Sequence, residues 1–534
     1  MAGEKTLFSW QEECLTCWEK AGNHGIISVV TGAGKTYFAL SAAKSLLERN
    51  PSQQRVRIVV PTVSLAYQWY HAIRDMMGNE TSIGFFFGEV RSAQSLPWMI
   101  YVINSARYAL SRHVLQDMKE GTAVLLITDE CHRYGSKENS KIFDFMKHSG
   151  FRPELYASIG LSATPECRHL EDVLIPALGP IIYSYSLDQA VREKVVSDFS
   201  VSQIRVSFNA DEQLQYTRLT NAIMKLMKVL LKKYPELQEL SRPALYNRIR
   251  GLAKKEGEKS PEQKLLNLTD KRRLLCSLAE SRGSCVMHLI RELPPCGRIL
   301  IFCEIIEQAN LLAALLMEEG ISRIGRYHSG MSAEARKTTL ERYRDHEIRI
   351  LICCTALDEG LDVPDTSFAI VVSCSSVMRQ RIQRLGRILR RSEDKDLAGL
   401  YYLYLDRTME DPVYLEDICR NHPVCSMKYL SQEKSFVCPV YLQLADDALS
   451  LYAKQGASAG QLKTMRENLV KGHVRNDWLM TPEKLLALAK GTKEQGEKNY
   501  RIAMSVMARL RIEAGRDLPA VCNETDRVTV QSHS

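Results

Sequence analysis

Long apolar stretches are missing from this 534-residue sequence: runs such as Ala123–Ile127 and Ala369–Val372 reach five and four residues, against the roughly 20 that cross a bilayer. A hydrophobic membrane span is excluded, and no membrane partner is expected. Met1 is not followed by a basic stretch and an apolar core, the pattern of a secretory leader. The expected location is cytoplasmic, associated with the nucleoid in a prokaryote and nuclear in a eukaryote. Neither sign of charge dominates, with 71 Lys plus Arg against 63 Asp plus Glu and a net charge of +8. Low-complexity tracts and short-period repeats are lacking too. The fifteen cysteines are odd in number and scattered through apolar segments, so reduced thiols are expected rather than disulfides. Cys14-x-x-Cys17 has no second pair nearby. Cys419, His422, Cys425 and Cys438 lie within 20 residues, but their spacing matches no standard zinc ribbon or finger, and zinc stays open there.

With 45% hydrophobic residues, the chain can bury several cores, each in a domain of roughly 100–200 residues. Two regions alternate short buried-strand patterns with helical ones, the signature of parallel sheets covered by helices. In the first, strands are expected at residues 26–30, 57–60, 99–103, 123–127 and 157–161. In the second they are expected at 298–302, 348–352, 368–372 and 400–404. Between them, Leu219, Ile223, Leu226 and Leu230 repeat at helical spacing. From Arg218 to Arg273 there are 15 Lys plus Arg and 6 Asp plus Glu, a local +9 that exceeds the excess of the whole chain. Such a stretch is either a solvated helical face or a surface that follows phosphates. After Asp411 the chain reads as helical, with a linker at Gly456–Gly460 and a helix starting at Thr481-Pro482.

The chemistry is concentrated in a few short motifs. The first expected strand runs into Thr31-Gly32-Ala33-Gly34-Lys35-Thr36 and then a helical pattern. Glycines there let backbone N–H groups converge on phosphate oxygens at a helix N-terminus. Lys35 can reach the outer phosphates, and the Thr36 hydroxyl can ligate magnesium. The strict phosphate-loop pattern has glycine where Val29 stands. Strand 123–127 ends in Thr128-Asp129-Glu130-Cys131-His132, at the carboxyl edge where ligands bind in such sheets. Asp129 can hold the metal, and Glu130 can orient or deprotonate an attacking water. Farther on, residues 379–391 hold six arginines in thirteen positions. Planar guanidinium groups stabilise charge on a transferring phosphoryl group.

These motifs stand in the order and spacing of superfamily 2 helicases. Gly32–Thr36 resembles motif I, Asp129-Glu130-Cys131-His132 a DExH motif II, and Ser162-Ala163-Thr164 motif III. Residues 355–362 (TALDEGLD) resemble motif V, and 383–390 (QRLGRILR) resemble motif VI. The resemblance covers residues 5–410. It implies that Phe8 and Gln11 meet adenine, that Thr31 to Thr36 hold the phosphates, that Asp362 meets the ribose, and that Gly360 belongs to the nucleotide-binding set. It makes Lys35, Glu130, Gln383, Arg387 and Arg390 the catalytic set, Thr36 and Asp129 the magnesium ligands, and His132, Ser162 and Thr164 the coupling residues. Thr62 and Thr355 become contacts to the nucleic-acid backbone. The DECH box looks most like the DNA-directed group of XPB-like helicases, restriction motor subunits and recombination or repair helicases. The sequence departs from that group at Thr128, where a more apolar residue is usual, and in its insert and C-terminal region.

The expected architecture is α/β. A RecA-like lobe at 1–205 is followed by a basic helical insert at 206–293, a second RecA-like lobe at 294–410 and a helical accessory region at 411–534. The expected function is an ATP- and magnesium-dependent helicase or translocase acting on duplex or branched DNA, in repair, recombination or genome defence. No nuclease constellation is present, so cutting would need a partner protein, with the C-terminal region the natural docking place. Three alternatives stay open: an RNA helicase, a duplex translocase that moves without unwinding as the motor of a larger complex, and a scaffold that uses ATP as a switch.

Overall fold

A computed structural model of the chain describes residues 7–30, 32–49, 54–163, 165–186, 189–190, 193, 195, 199–295, 297–354, 366–373, 398–408, 410 and 424–513. They form two compact units, one built on residues up to Phe199 and the other on most of the chain from Ser200 onward. No described helix is long and apolar enough to cross a membrane.

The first unit is built on an eight-stranded sheet. Its elements are α1 (Ser9–Lys20), β1 (His24–Val29), α2 (Lys35–Arg49), β2 (Gln54–Val60), α3 (Val63–Met77), β3 (Ile83–Phe87), β4 (Val90–Arg91), β5 (Trp98–Val102), α4 (Ile103–Lys119), β6 (Ala123–Asp129), β7 (Tyr156–Ser162), α5 (Ile175–Leu178) and β8 (Ile181–Tyr185). The strand order is β4-β3-β5-β2-β6-β7-β1-β8. All neighbours are parallel except the β3/β4 hairpin. The five strands expected from sequence are present, each with one or both ends shifted. β3, β4 and β8 are additional. The central strands read as unbroken apolar runs because helices cover both faces, and β5 is buried at every residue. A buried ion pair is built into this core. Arg57, fully buried, donates from Nε to Asp117 Oδ2 at 2.8 Å and to the carbonyls of Leu96 and Gln94, so α4 is tied to β2 with the guanidinium's donors satisfied.

The second unit holds another eight-stranded sheet. It comprises β9 (Phe199–Val206), β10 (Ile299–Cys303), β11 (Ile324–Tyr327), β12 (Ile350–Cys354), β13 (Phe368–Val371), β14 (Ala398–Leu405), β15 (Val424–Leu430) and β16 (Ser435–Val437), in the order β11-β12-β10-β13-β14-β9-β15-β16. Two findings differ from the sequence reading. Residues 199–205, placed there in the first lobe, form β9, which pairs in parallel with β15 of the second sheet. The region after 411, read as helical, contributes β15 and β16. In β15 Cys425, Met427 and Tyr429 are buried while Ser426 and Lys428 are exposed, the period of two that a half-buried strand requires.

Between β9 and β10 the chain is helical, as the periodicity predicts: α6 (Ala210–Lys233), α7 (Arg242–Glu256), α8 (Pro261–Ser277) and α9 (Glu280–Glu292). α6 starts with a capping box. Asn209 accepts from Glu212 N at 2.9 Å, and Glu212 accepts from Asn209 N at 3.0 Å, satisfying two orphan donors of the first turn. Ile223, Leu230, Leu237, Ile249 and Leu265 form a core within the insert. α10 (Ile306–Glu318) and α11 (Ala333–Arg344) belong to the second lobe. Beyond the second sheet lie α12 (Pro439–Lys454), α13 (Ala459–Arg475), α14 (Pro482–Gly491) and α15 (Gln495–Glu513). The linker expected at Gly456–Gly460 is a shorter turn, with Gly456 at φ +80° and α13 already begun at Ala459, whereas the expected cap is present: Thr481 accepts from Lys484 N at 3.3 Å at the head of α14. Tyr401 of β14 donates to Val474 O at 3.0 Å, fixing the end of α13 to the sheet.

Candidate active site

β1 ends at Val29, and the chain reverses through two glycines in left-handed backbone, Gly32 at φ +93° and Gly34 at φ +98°. Side chains resist that conformation. A Cβ on Gly34 would also stand 2.9 Å from Gln11 Nε2. α2 then begins at Lys35 with no acidic residue in its first turn, leaving the free N–H groups and the positive end of the helix dipole to an anion. Lys35 Nζ donates to Val29 O at 3.0 Å, which holds the ammonium over the loop. Gln11, almost fully buried on α1, donates from Nε2 to Gly34 O at 3.1 Å and accepts from Phe8 N at 2.9 Å. Of the two adenine-side residues expected from sequence, Gln11 is therefore bound to the phosphate loop itself, while Phe8, 45% exposed, is tied to Gln11 through its backbone N–H.

Asp129 closes β6 at the same sheet edge. Its Oδ2 accepts from Trp69 Nε1 at 3.0 Å and its Oδ1 from Glu130 N at 3.0 Å. Burial, then the adjacent Glu130, push the Asp129 carboxyl up to about 6, against the pull of the Trp69 hydrogen bond and the Lys35 charge. Tyr134 OH donates to Asp129 O at 2.7 Å. Glu130 follows with φ 52°, a left-handed turn that ends the strand. His132 Nδ1 lies 3.4 Å from Glu130 Oε2 and 3.0 Å from the hydroxyl of Ser162, at the end of β7. Since β7 lies between β6 and β1, Ser162 stands between the acidic pair and the phosphate loop.

The structure thus brings together Gln11, Gly32, Ala33, Gly34, Lys35, Thr36, Asp129, Glu130, His132 and Ser162 along one edge of the first sheet. Thr62 caps α3, its hydroxyl accepting from Leu65 N at 3.3 Å. Thr31, Thr164, Thr355, Gly360, Asp362, Gln383, Arg387 and Arg390 lie outside the described residues, as do Cys419 and His422. Trp69 and Tyr134, which fix Asp129, carry no motif and are not singled out by the sequence. The oxygen donors of Thr36 and Asp129 beside a lysine suit a small hard cation bound together with phosphate.

Elsewhere, Cys425 and Cys438 are buried with their sulfurs 3.3 Å apart. His473 Nε2 accepts from Cys438 N at 3.1 Å, and burial lowers the imidazole to about 4. Among the described residues no group of three or more His, Cys, Asp or Glu is placed to hold a metal.

Comparison with known proteins adds independent findings. Residues 4–167 match the family "Type III restriction enzyme, res subunit", and residues 282–392 match "Helicase conserved C-terminal domain". The chain is 28% identical over 395 residues to "DNA 3'-5' translocase XPB2" of Sulfurisphaera tokodaii, covering 73% of this chain and 80% of that protein. Among solved structures, the "DUF1998 helicase MrfA bound to DNA and AMPPNP" has a TM-score of 0.52 at 13% identity, covering 80% of this chain and 52% of that one. A variant of S. cerevisiae Dbp5 bound to RNA and ADP BeF3 has a TM-score of 0.52 at 11% identity, covering 80% and 90%. These two likenesses concern the fold, which consists of two RecA-like lobes.

Proposed function

The chain belongs to superfamily 2 of the helicases, and on that premise we propose that it is an ATP-driven motor on duplex or branched DNA, serving repair, recombination or genome defence. The observation that carries the nucleotide chemistry is the shared sheet edge: a phosphate loop at the end of β1, and the Asp129–Glu130 pair at the end of β6 under the charge of Lys35. The loop and the N-terminus of α2 bind the phosphates by backbone N–H groups, and Lys35 turns its ammonium from Val29 O to the outer phosphates. Thr36 and Asp129 would hold magnesium, which when bound neutralises charge on the phosphate oxygens. Glu130 orients the attacking water and takes its proton. His132, between Glu130 and Ser162, links the state of that carboxylate to the end of β7. The roles that the resemblance gives to Phe8, Thr31, Thr164, Gly360, Asp362, Gln383, Arg387 and Arg390, and to Thr62 and Thr355 as backbone contacts, belong to this proposal.

DNA is favoured over RNA by the translocase relative, which matches along most of both chains. The fold does not divide the two, since it is shared with a helicase bound to DNA and a protein bound to RNA. Triplex displacement and strand displacement, run with ATP on duplex and forked DNA, test the proposal. A DNA motor displaces the triplex strand. An enzyme that displaces strands from RNA duplexes while leaving every DNA substrate intact contradicts it.

A further inference from the structure

The positive charge of this protein is concentrated in one small module. Arg218 to Arg273 carries +9, while the whole chain carries +8, so the remaining residues sum to about neutral. Within the module α6 is the most one-sided element, with no acidic residue between Glu212 and its end at Lys233. Arg218, Asn221, Lys225, Lys228 and Lys232 recur at steps of three and four and are all exposed, so they form a single stripe. The buried residues of α6 are Tyr216, Ile223 and Leu230, the same seven-residue repeat set back by two positions. At about 100° per residue the two stripes lie on opposite sides of the helix.

The ion pairs within the insert do not neutralise this stripe. Among the described residues Lys233 pairs with Glu262 and Glu256, and Arg273 with Glu304. None engages Arg218, Lys225, Lys228 or Lys232. An ordinary solvated face interleaves both signs, whereas this one is a line of unopposed cations on a rigid support anchored by its own core. From Arg218 to Lys232 the line spans about 21 Å, a length over which duplex DNA presents roughly a dozen phosphate charges.

We propose that this stripe on α6 is a contact surface for the phosphate backbone of nucleic acid, sequence-independent and separate from the nucleotide site. This rests on the reading of the chain as a nucleic-acid motor. A lipid surface is disfavoured, because an interfacial helix inserts its apolar face, and that face of α6 is already in the core of the insert. The exposed Leu214, Met224 and Val229 stand singly around the cations.

The test uses the full chain carrying Arg218→Ala, Lys225→Ala, Lys228→Ala and Lys232→Ala together, exposed positions whose replacement leaves the insert's core intact. A control removes the same charge from the C-terminal helices through Lys454→Ala, Lys463→Ala, Lys471→Ala and Lys490→Ala. Binding of fluorescent duplex DNA is followed by anisotropy across a range of potassium chloride concentrations. Each phosphate contact contributes about 0.9 to the slope of log affinity against log salt, so the α6 variant loses about 2–4 from that slope while the control keeps it. ATP turnover without polynucleotide stays unchanged in both. An unchanged slope in the α6 variant, or an equal loss in both variants, overturns the inference. So does binding to phosphatidylserine vesicles that the α6 variant loses while it retains its DNA slope. A wild-type chain that binds no nucleic acid at all refutes the motor reading itself, a result distinct from these.

Discussion

Replacing Trp69 with phenylalanine isolates one hydrogen bond at the centre of the site. The indole Nε1 donates to Asp129 Oδ2 at 3.0 Å, and it is the largest of the influences that lower the carboxyl, which burial and Glu130 nonetheless push up to about 6. Phenylalanine keeps an aromatic ring on α3 and removes the donor. A hydrogen bond to a charged group contributes about 1.5–3 kcal/mol, and one pKa unit corresponds to about 1.4 kcal/mol. The Asp129 carboxyl should therefore rise by roughly one to two units. The carboxylate is the form that binds a cation, and it is lost as pH falls through the folded-state value. A higher value makes that loss begin at higher pH. ATP turnover measured as a function of pH should then show an acidic limb displaced upward by about one unit or more in the variant, with wild-type turnover approached on the alkaline side. Magnesium moves both profiles in the same downward direction and preserves their order. A Trp69→Phe protein that is folded by circular dichroism and has an unshifted acidic limb would refute the assignment of Asp129 as the metal-binding carboxylate.

Gly34→Ala forces a side chain into φ +98° and against Gln11 Nε2. Strain of about 1–3 kcal/mol is expected, with ATP binding weakened at least tenfold in a fluorescent-nucleotide titration. His132→Ala removes the link between Glu130 and Ser162. Its DNA-stimulated turnover should fall by roughly tenfold or more, the value of about one hydrogen bond, while nucleotide affinity is retained. Asp477 is half-buried, accepts from Tyr500 OH at 2.6 Å, and has its carboxyl pushed up to about 6 by desolvation. Because its folded value lies above the unfolded one, its contribution to stability is full below the ordinary carboxyl range and is lost as pH rises through about 6. Asp477→Asn keeps an acceptor for Tyr500 and should flatten that slope. It should exceed wild-type stability at neutral pH by on the order of 2 kcal/mol, as read from urea midpoints at several pH values.

The parts of the molecule legible in the sequence are those whose physics is local. A turn that needs two left-handed glycines between a strand and a helix identifies the phosphate loop within six residues. An acidic pair directly after an apolar run marks the carboxyl edge of the sheet. The cap at Thr481 acts over three residues, and the insert's periodicity over one helix. The hidden parts depend on distant partners. β9 is an apolar-polar stretch that the sequence places beside the first lobe, but its hydrogen bonds go to β15, more than two hundred residues later. The strand character of β15 lies in the alternation of Cys425, Met427 and Tyr429, overshadowed by the helical pattern of the next segment. Trp69 and Tyr134 reach Asp129 through tertiary packing, and nothing in their own neighbourhoods announces it.

The central claim is that the Gly32–Lys35 loop and the Asp129–Glu130 pair hydrolyse ATP in response to DNA. ATP turnover by the purified chain with magnesium, alone and with single-stranded DNA, duplex DNA or RNA, tests it most directly, with Lys35→Ala as the blank. The account predicts low turnover alone, strong stimulation by duplex DNA, and its disappearance in the variant. Stimulation by RNA only, or turnover that persists in Lys35→Ala, would contradict it.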